Sequence, residues 1–275
     1  MLIRILHDFD PFLVRFAEGI GIRWYAIPYL LGFLLAWWVF RRAADSGAIG
    51  DFDEDDVYEY LIWLILGVLI GARAFHVFVF EFESYGFDPL AWVAVWRGGM
   101  AFHGGLVGVP VATWLFARRK GLPVYAFLDR LVLPTAFVLG MGRLANFING
   151  EMPGTRWSGP LCVDYGHSRW LRDPPEGCRH PVQLYEAAKE WTVLALMWLE
   201  ARYMRPRPGA LFWSFVAAYG LLRFPLMYLR VEPRVWAGLS LSQIFSAVQG
   251  VLGLAALAWI YRDRLPGGRD REASA

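Results

Sequence analysis

The sequence predicts an all-α integral membrane protein. The expected fold is a seven-transmembrane helix bundle with its N-terminus outside, its C-terminus cytoplasmic and a small extracytoplasmic head loop. Three observations carry this. Of 275 residues, 57% are hydrophobic and 19% charged, with mean hydropathy +0.36, whereas soluble domains run near roughly 45–50% apolar and about 25% charged. Seven apolar windows fall near residues 24–40, 58–80, 99–117, 127–148, 185–201, 210–229 and 239–261, each close to the ~20 residues a spanning helix needs. Clusters of Arg and Lys follow every second window, and such residues are retained on the cytoplasmic side. The net charge of +2 excludes a strongly basic nucleic-acid binder, so no nucleic-acid partner is expected.

Along the chain, residues 1–23 form an arm before the first window. Asp8, Asp10, Arg15 and Glu18 interrupt any continuous apolar core, which argues against a cleavable signal peptide. Phe9, Phe12, Leu13, Phe16 and Ile20 recur at helical spacing, and Asp10-Pro11 suits a helix start, so the arm reads as an amphipathic helix on the outer membrane surface. Residues 24–261 make the seven-span domain. Arg41 and Arg42 follow span one, Arg118, Arg119 and Lys120 span three, and Arg202, Arg205 and Arg207 span five. Arg262, Arg264, Arg269 and Arg271 lie in the tail, residues 262–275, after span seven. The opposite loops carry Arg156, Arg169, Arg172, Arg179, Arg230 and Arg234, which retention on the cytoplasmic side does not explain. The acidic run Asp51 to Asp56 reads as a solvated turn capping span two, and Pro89 to Trp96 as an interfacial stretch too short to cross. Residues 151–184 form the head loop, with Cys162 and Cys178 as a candidate structural disulfide or as two free thiols. His167 and His180 nearby recur at no ligand spacing, so no metal is expected.

An ionisable group inside a span costs at least ~2.5–3.5 kcal/mol on insertion scales, which makes each one a functional suspect. Arg143, Asn146 and Asn149, followed by Glu151, share one face near the outer end of span four. A guanidinium fork beside two amides suits a phosphate and its polar substituents. A structural network in which Glu151 pairs with Arg143 fits the spacing equally well. His103 opens span three within His103-Gly104-Gly105, where an imidazole can act as general base or serve only in packing. Arg223 and Arg230 give a second basic face, Arg73 and His76 a third, and His180-Pro181-Val182-Gln183-Leu184-Tyr185-Glu186 opens span five. No phosphate-binding Gly-rich loop, zinc helix or nucleophile elbow is present.

The run Gly142-Arg143-Leu144-Ala145-Asn146-Phe147-Ile148-Asn149-Gly150-Glu151-Met152-Pro153-Gly154 resembles the signature of the prolipoprotein diacylglyceryl transferase family. Trp24-Tyr25, Gly71-Ala72-Arg73, Gly99-Met100-Ala101-Phe102-His103-Gly104-Gly105, the His180 block and Tyr219-Gly220-Leu221-Leu222-Arg223 follow the family order, so the resemblance covers residues 24 to about 261. It implies transfer of the diacylglyceryl group of phosphatidylglycerol to the lipobox cysteine thiol of a preprolipoprotein, forming a thioether and releasing glycerol phosphate, without a cofactor. It further implies catalytic roles for His103, Arg143 and Arg223. Phosphatidylglycerol would be bound by Arg143, Arg223, Arg73, Tyr25, Asn146, Asn149, Glu151 and Gly154. The partners would be phosphatidylglycerol, the lipobox segment and membrane lipids. The location would be the bacterial cytoplasmic (inner) membrane, multi-pass, with the active site towards the outer leaflet. Three positions depart from the family pattern: Ala26, Ser242, and Met227 where a Glu is usual. The last leaves a partner for Arg223 missing, or supplied by Glu232 or another carboxylate. A divergent paralogue that binds or transports anionic phospholipid, or modifies a different acceptor, is the alternative.

Overall fold

The computed structural model describes residues 3–17, 20–85, 88–94 and 99–264. Among these, seven long helices coincide with the seven apolar windows. They are α1 (Ala26–Asp45), α2 (Glu54–Phe75), α5 (Phe102–Lys120), α6 (Val124–Ile148), α7 (Val182–Leu199), α8 (Ala210–Leu226) and α9 (Leu241–Ile260). Two short helices, α3 (Phe82–Tyr85) and α4 (Pro89–Val93), lie between α2 and α5. Four segments, Glu54–Val79, Val124–Ile148, Ala210–Leu229 and Leu241–Ile260, are long and apolar enough to cross a membrane. Helix α7 carries Glu186, Lys189 and Glu190 within its apolar stretch, which lowers its hydropathy. The chain is a helical membrane protein whose described residues divide into two compact units, 33–131 and 1–32 with 132–275.

In the unit of residues 33–131, the core is aromatic. Phe40, Phe52, Tyr60, Phe116 and Phe127 are buried, and their rings pack at centroid separations such as 4.8 Å for Phe40–Tyr60 and 4.9 Å for Tyr60–Phe127. Such pairs add about 0.5–1.5 kcal/mol each beyond area burial. The Tyr60 hydroxyl is satisfied by Thr113 Oγ1 at 2.8 Å. Helices α2 and α5 meet through Gly67, Gly71, Gly104 and Gly108, and a methyl on Gly108 would overlap the Gly67 carbonyl oxygen. Asp53 and Asp56 form a capping box at the start of α2. The acidic run caps span two as expected, but Asp56 is not solvated: it is buried, and Lys120 Nζ lies 2.6 Å from its carboxylate.

In the other unit, the N-terminal arm is not a helix. Strand β1 (Ile3–Leu6) pairs in parallel with β4 (Leu161–Asp164), while β2 (Phe12–Ala17) and β3 (Ile20–Arg23) form an antiparallel hairpin. Spacing at Phe9, Phe12, Leu13 and Phe16 suits a helix, but Phe12, Val14 and Phe16 also alternate at the strand period of two. The ladder to β3 decides between them, because a side chain at Gly21 would overlap the Val14 carbonyl oxygen. Leu13, Val14, Phe16, Ile20 and Ile22 are all exposed on this hairpin. Glu18 lies outside the described residues, as do Trp96, Arg269 and Arg271. The head loop is built around β4, with Phe147, Val163 and Tyr165 as its small core. Cys162 is bonded to Cys178, with Cα atoms 5.5 Å apart. Below it, Val132, Ala136, Val193, Met197, Leu211, Phe215 and Tyr219 make the helical core, and β5 (Arg234–Trp236) and β6 (Leu239–Ser240) form a hairpin leading into α9.

Candidate active site

The last two turns of α6 bring Arg143, Asn146 and Asn149 to one face, and the helix stops at Gly150, which takes φ 67°. Met152 then adopts φ 56°, a left-handed conformation unusual for a side chain larger than Asn and a mark of local strain. This turn folds Glu151 back under the helix end. Asn146 Nδ2 donates to Tyr25 Oη and to Glu151 Oε2, both at 2.8 Å, and Asn149 Nδ2 donates to Glu151 Oε1 at 3.1 Å. Gln183 Nε2 donates to the Glu151 carbonyl, fixing the turn against the start of α7. Both oxygens of Glu151 are thereby committed to amides.

Arg143 finds its counter-charge on α7. Its Nη1 lies 3.3 Å from Glu186 Oε2, and Glu186 Oε1 lies 3.9 Å from Arg223 Nε on α8. One carboxylate therefore serves two guanidinium groups, and Arg143, Glu186 and Arg223 are all buried. Arg143 also reaches Asn146 Oδ1 at 3.5 Å, and Arg223 Nη1 donates to the Tyr219 hydroxyl. Arg223 is thus not left without a partner by Met227, which is fully buried. Glu186 takes that place, while Glu232 pairs with Arg230 at 3.1 Å and accepts from Ser242 Oγ at 3.0 Å. Two buried guanidinium groups thus converge on one carboxylate, and such groups are the ones best suited to hold a phosphate.

Gly154 belongs to the same wall. Its carbonyl accepts from Arg179 Nη1 at 3.1 Å, its backbone bridges to Arg230, and a methyl group there would overlap the His180 carbonyl oxygen. His180 itself stacks on Trp157 with centroids 4.2 Å apart, and burial pushes its pKa below the ordinary imidazole value. The structure therefore brings together Tyr25, Arg143, Asn146, Asn149, Glu151, Gly154 and Arg223.

Arg73, His76 and His103 belong to the unit of residues 33–131. Arg73 is buried and donates from Nε to the Trp92 carbonyl at 2.9 Å and from Nη1 to the Gly99 carbonyl at 3.0 Å. It thus clamps the segment before α5. His76 Nε2 lies 3.4 Å from Glu81. His103 sits in the first turn of α5, and its side chain lies outside the described residues.

Helix α7 contributes more to the site than its sequence suggests. Glu186 reads there as part of a polar helix start, and Lys189 and Glu190 as nothing in particular. Gln183, Glu186, Lys189 and Glu190 are all buried on one face of it. The signal was available: polar residues recurring at three- and four-residue spacing inside an apolar window mark an interior face. Among the described residues, no group of His, Cys, Asp and Glu side chains is arranged to hold a metal ion.

Residues 11–259 match the family described as prolipoprotein diacylglyceryl transferase. The chain is 38% identical over 265 residues to the phosphatidylglycerol–prolipoprotein diacylglyceryl transferase of Vibrio vulnificus (strain CMCP6), covering 93% of each protein. It is 38% identical over 264 residues to the enzyme of that name from Geobacter sulfurreducens, covering 93% of this chain and 97% of the relative. A third such relative, from Azotobacter vinelandii, is 34% identical over 260 residues, covering 92% of this chain and 95% of the relative. Identity at this level along nearly the whole length, together with the family match over residues 11–259, places this chain in the prolipoprotein diacylglyceryl transferase family.

Proposed function

We propose that the chain transfers the diacylglyceryl group of phosphatidylglycerol to the lipobox cysteine thiol of preprolipoproteins, and that Arg143 and Arg223 hold the lipid phosphate. The observation that carries this is the single carboxylate, Glu186, shared by two buried guanidinium groups. A phosphodiester entering beside them supplies the second anion. In the reaction, the acceptor thiol loses its proton and the sulfur attacks the glycerol carbon that bears the phosphate. The carbon–oxygen bond breaks, a carbon–sulfur bond forms, and glycerol phosphate leaves carrying the electron pair. Charge builds on the departing phosphate, so preorganised guanidinium groups stabilise the transition state more than the ground state. His103 takes the thiol proton. Tyr25, Asn146, Asn149 and Glu151 form the polar ledge that orients the headgroup, Gly154 keeps its wall open to close approach, and Arg73 braces the segment leading to His103.

The same reading sets all seven long helices across the bacterial inner membrane, with the N-terminus outside and the site towards the outer leaflet. Basic residues at the C-terminal ends of α1 and α5 and following α7 and α9 support it, as does the Cys162–Cys178 bond, which suits an oxidising compartment. Residues 1–23 then form an interfacial arm whose exposed apolar hairpin lies in the headgroup region. A lipid-binding paralogue without chemistry drew its support from Met227, and Glu186 beside Arg223 removes that support. The test is incubation of the purified protein with phosphatidylglycerol and a lipobox peptide. A diacylglyceryl mass on the cysteine sulfur is expected. Lipid binding with no thioether, beside an active control enzyme, contradicts the proposal and favours the paralogue.

A further inference from the structure

Helix α7 buries two more charged side chains that the transfer chemistry leaves unused. Lys189 and Glu190 are 7% and 0% exposed, and Lys189 Nζ lies 2.6 Å from Glu190 Oε1. A buried ion pair is often no more stable than apolar residues of similar volume, so stability is weak grounds for keeping one. This pair is also wired to the arginines. Lys189 Nζ sits 3.8 Å from the centroid of the Tyr219 ring, whose hydroxyl accepts from Arg223. Glu190 lies four residues beyond Glu186 on the same helical face, about 6 Å of rise at about 1.5 Å per residue.

Both carboxylates have one oxygen engaged and one oxygen short of a donor. Glu186 Oε2 faces Arg143, while Glu186 Oε1 has no hydrogen-bond partner among the described residues, Arg223 Nε being 3.9 Å away. Glu190 Oε1 faces Lys189, while Glu190 Oε2 is buried and has no hydrogen-bond partner among the described residues. A buried acceptor without a donor is costly, and a ligand that brings the donor relieves that cost. The donor that fits is neutral: Arg143, Arg223 and Lys189 repel an ammonium, and their positive field already selects an anionic lipid. A phosphate ester bearing hydroxyls on a short carbon chain meets both conditions.

We propose that Glu190 is a headgroup-specificity residue, its Oε2 accepting a hydrogen bond from a hydroxyl of the glycerol headgroup, and that Lys189 is the positioning residue that holds it. The inference rests on the reading that Arg143 and Arg223 hold the phosphate. It explains how the site distinguishes a glycerol headgroup from an alkyl or amino one, because a site built to pair a hydroxyl penalises the analogue that lacks it.

The test compares phosphatidylglycerol with phosphatidylethanol, which keeps the phosphodiester and lacks the hydroxyls, as donors to a lipobox peptide. The wild type is expected to favour phosphatidylglycerol in kcat/KM by ~10-fold or more, the range for a hydrogen bond to a charged group. In a Lys189→Leu/Glu190→Leu double variant, which replaces the pair by apolar side chains, that preference falls to within about threefold. An unchanged preference in a folded double variant overturns the proposal. Should that variant fail to fold, Lys189→Met with Glu190→Gln keeps the shape and a weaker, neutral acceptor; a reduced preference supports the proposal and an unaltered one overturns it. An Arg143→Ala control separates the two readings. If it uses both lipids as well as the wild type, the phosphate site itself is wrong; if it is inactive while the double variant keeps its preference, only the role of Glu190 falls.

Discussion

Replacing Glu186 by Gln tests the buried charge balance with almost no change in shape. The carboxylate lies 3.3 Å from one guanidinium, which at an effective dielectric constant of about 20 is worth about 5 kcal/mol of attraction. The second, at 3.9 Å, adds about 4 kcal/mol on the same basis. Desolvation of three charges offsets much of this, and breaking one side of a buried pair costs about 3–5 kcal/mol net. At roughly 2–4 °C per kcal/mol for a chain of this size, the melting temperature in detergent should fall by about 6–20 °C. The 14 Trp residues provide a fluorescence signal for the melt. Because phosphatidylglycerol supplies the missing anion, the lipid should raise the melting temperature of Glu186→Gln more than that of the wild type. A variant that melts within about 2 °C of the wild type, with equal gain from the lipid, refutes the shared-carboxylate account.

Four further outcomes follow from the geometry. Arg143→Lys should insert normally and lose at least ~100-fold in transfer rate, since a point charge cannot replace a fork lying between Asn146 and Glu186; activity assay with a membrane-insertion check decides. Gly154→Ala should lower stability by about 1–3 kcal/mol and impair transfer, because the added methyl meets the His180 backbone; a thermal melt beside the activity assay reads both. Cys162→Ser with Cys178→Ser should weaken the head loop by ~3 kcal/mol, seen as faster proteolysis within residues 151–184. Asp164 is held below the usual carboxylate range by the Gly166 amide and then by Arg4. Its contribution is therefore full above the unfolded value of about 4 and lost as pH falls through the lower folded one; hydrogen exchange in residues 3–6 should rise over that window.

The helices were legible because each apolar window lies within a few residues of a long helix, and four of those segments are apolar enough to cross a membrane. The α6 face was legible because Arg143, Asn146 and Asn149 are out of place in hydrocarbon, and their spacing alone puts them together. The arm was not, since Phe9, Phe12, Leu13 and Phe16 suit a helix while Phe12, Val14 and Phe16 suit a strand over the same short run. What decides it is the pairing with Ile20–Arg23, a tertiary fact. Glu186 was underrated because a carboxylate beside a helix start looks the same in sequence whether water or two arginines neutralise it. The bond between Cys162 and Cys178 is likewise a tertiary fact, as a separation of sixteen residues leaves paired and free thiols both open. Asp56 misled in the opposite sense: within an acidic run it reads as solvated, yet Lys120, 64 residues on, buries it.

In the proposed reaction the buried guanidinium pair holds the phosphate while it departs. Release of glycerol phosphate from phosphatidylglycerol, measured in a single turnover with excess lipobox peptide, tests it most directly. Release should match thioether one-to-one in the wild type, and its rate should be at least ~100-fold lower in both Arg143→Ala and Arg223→Ala despite normal insertion. Release at the wild-type rate in either variant would contradict it.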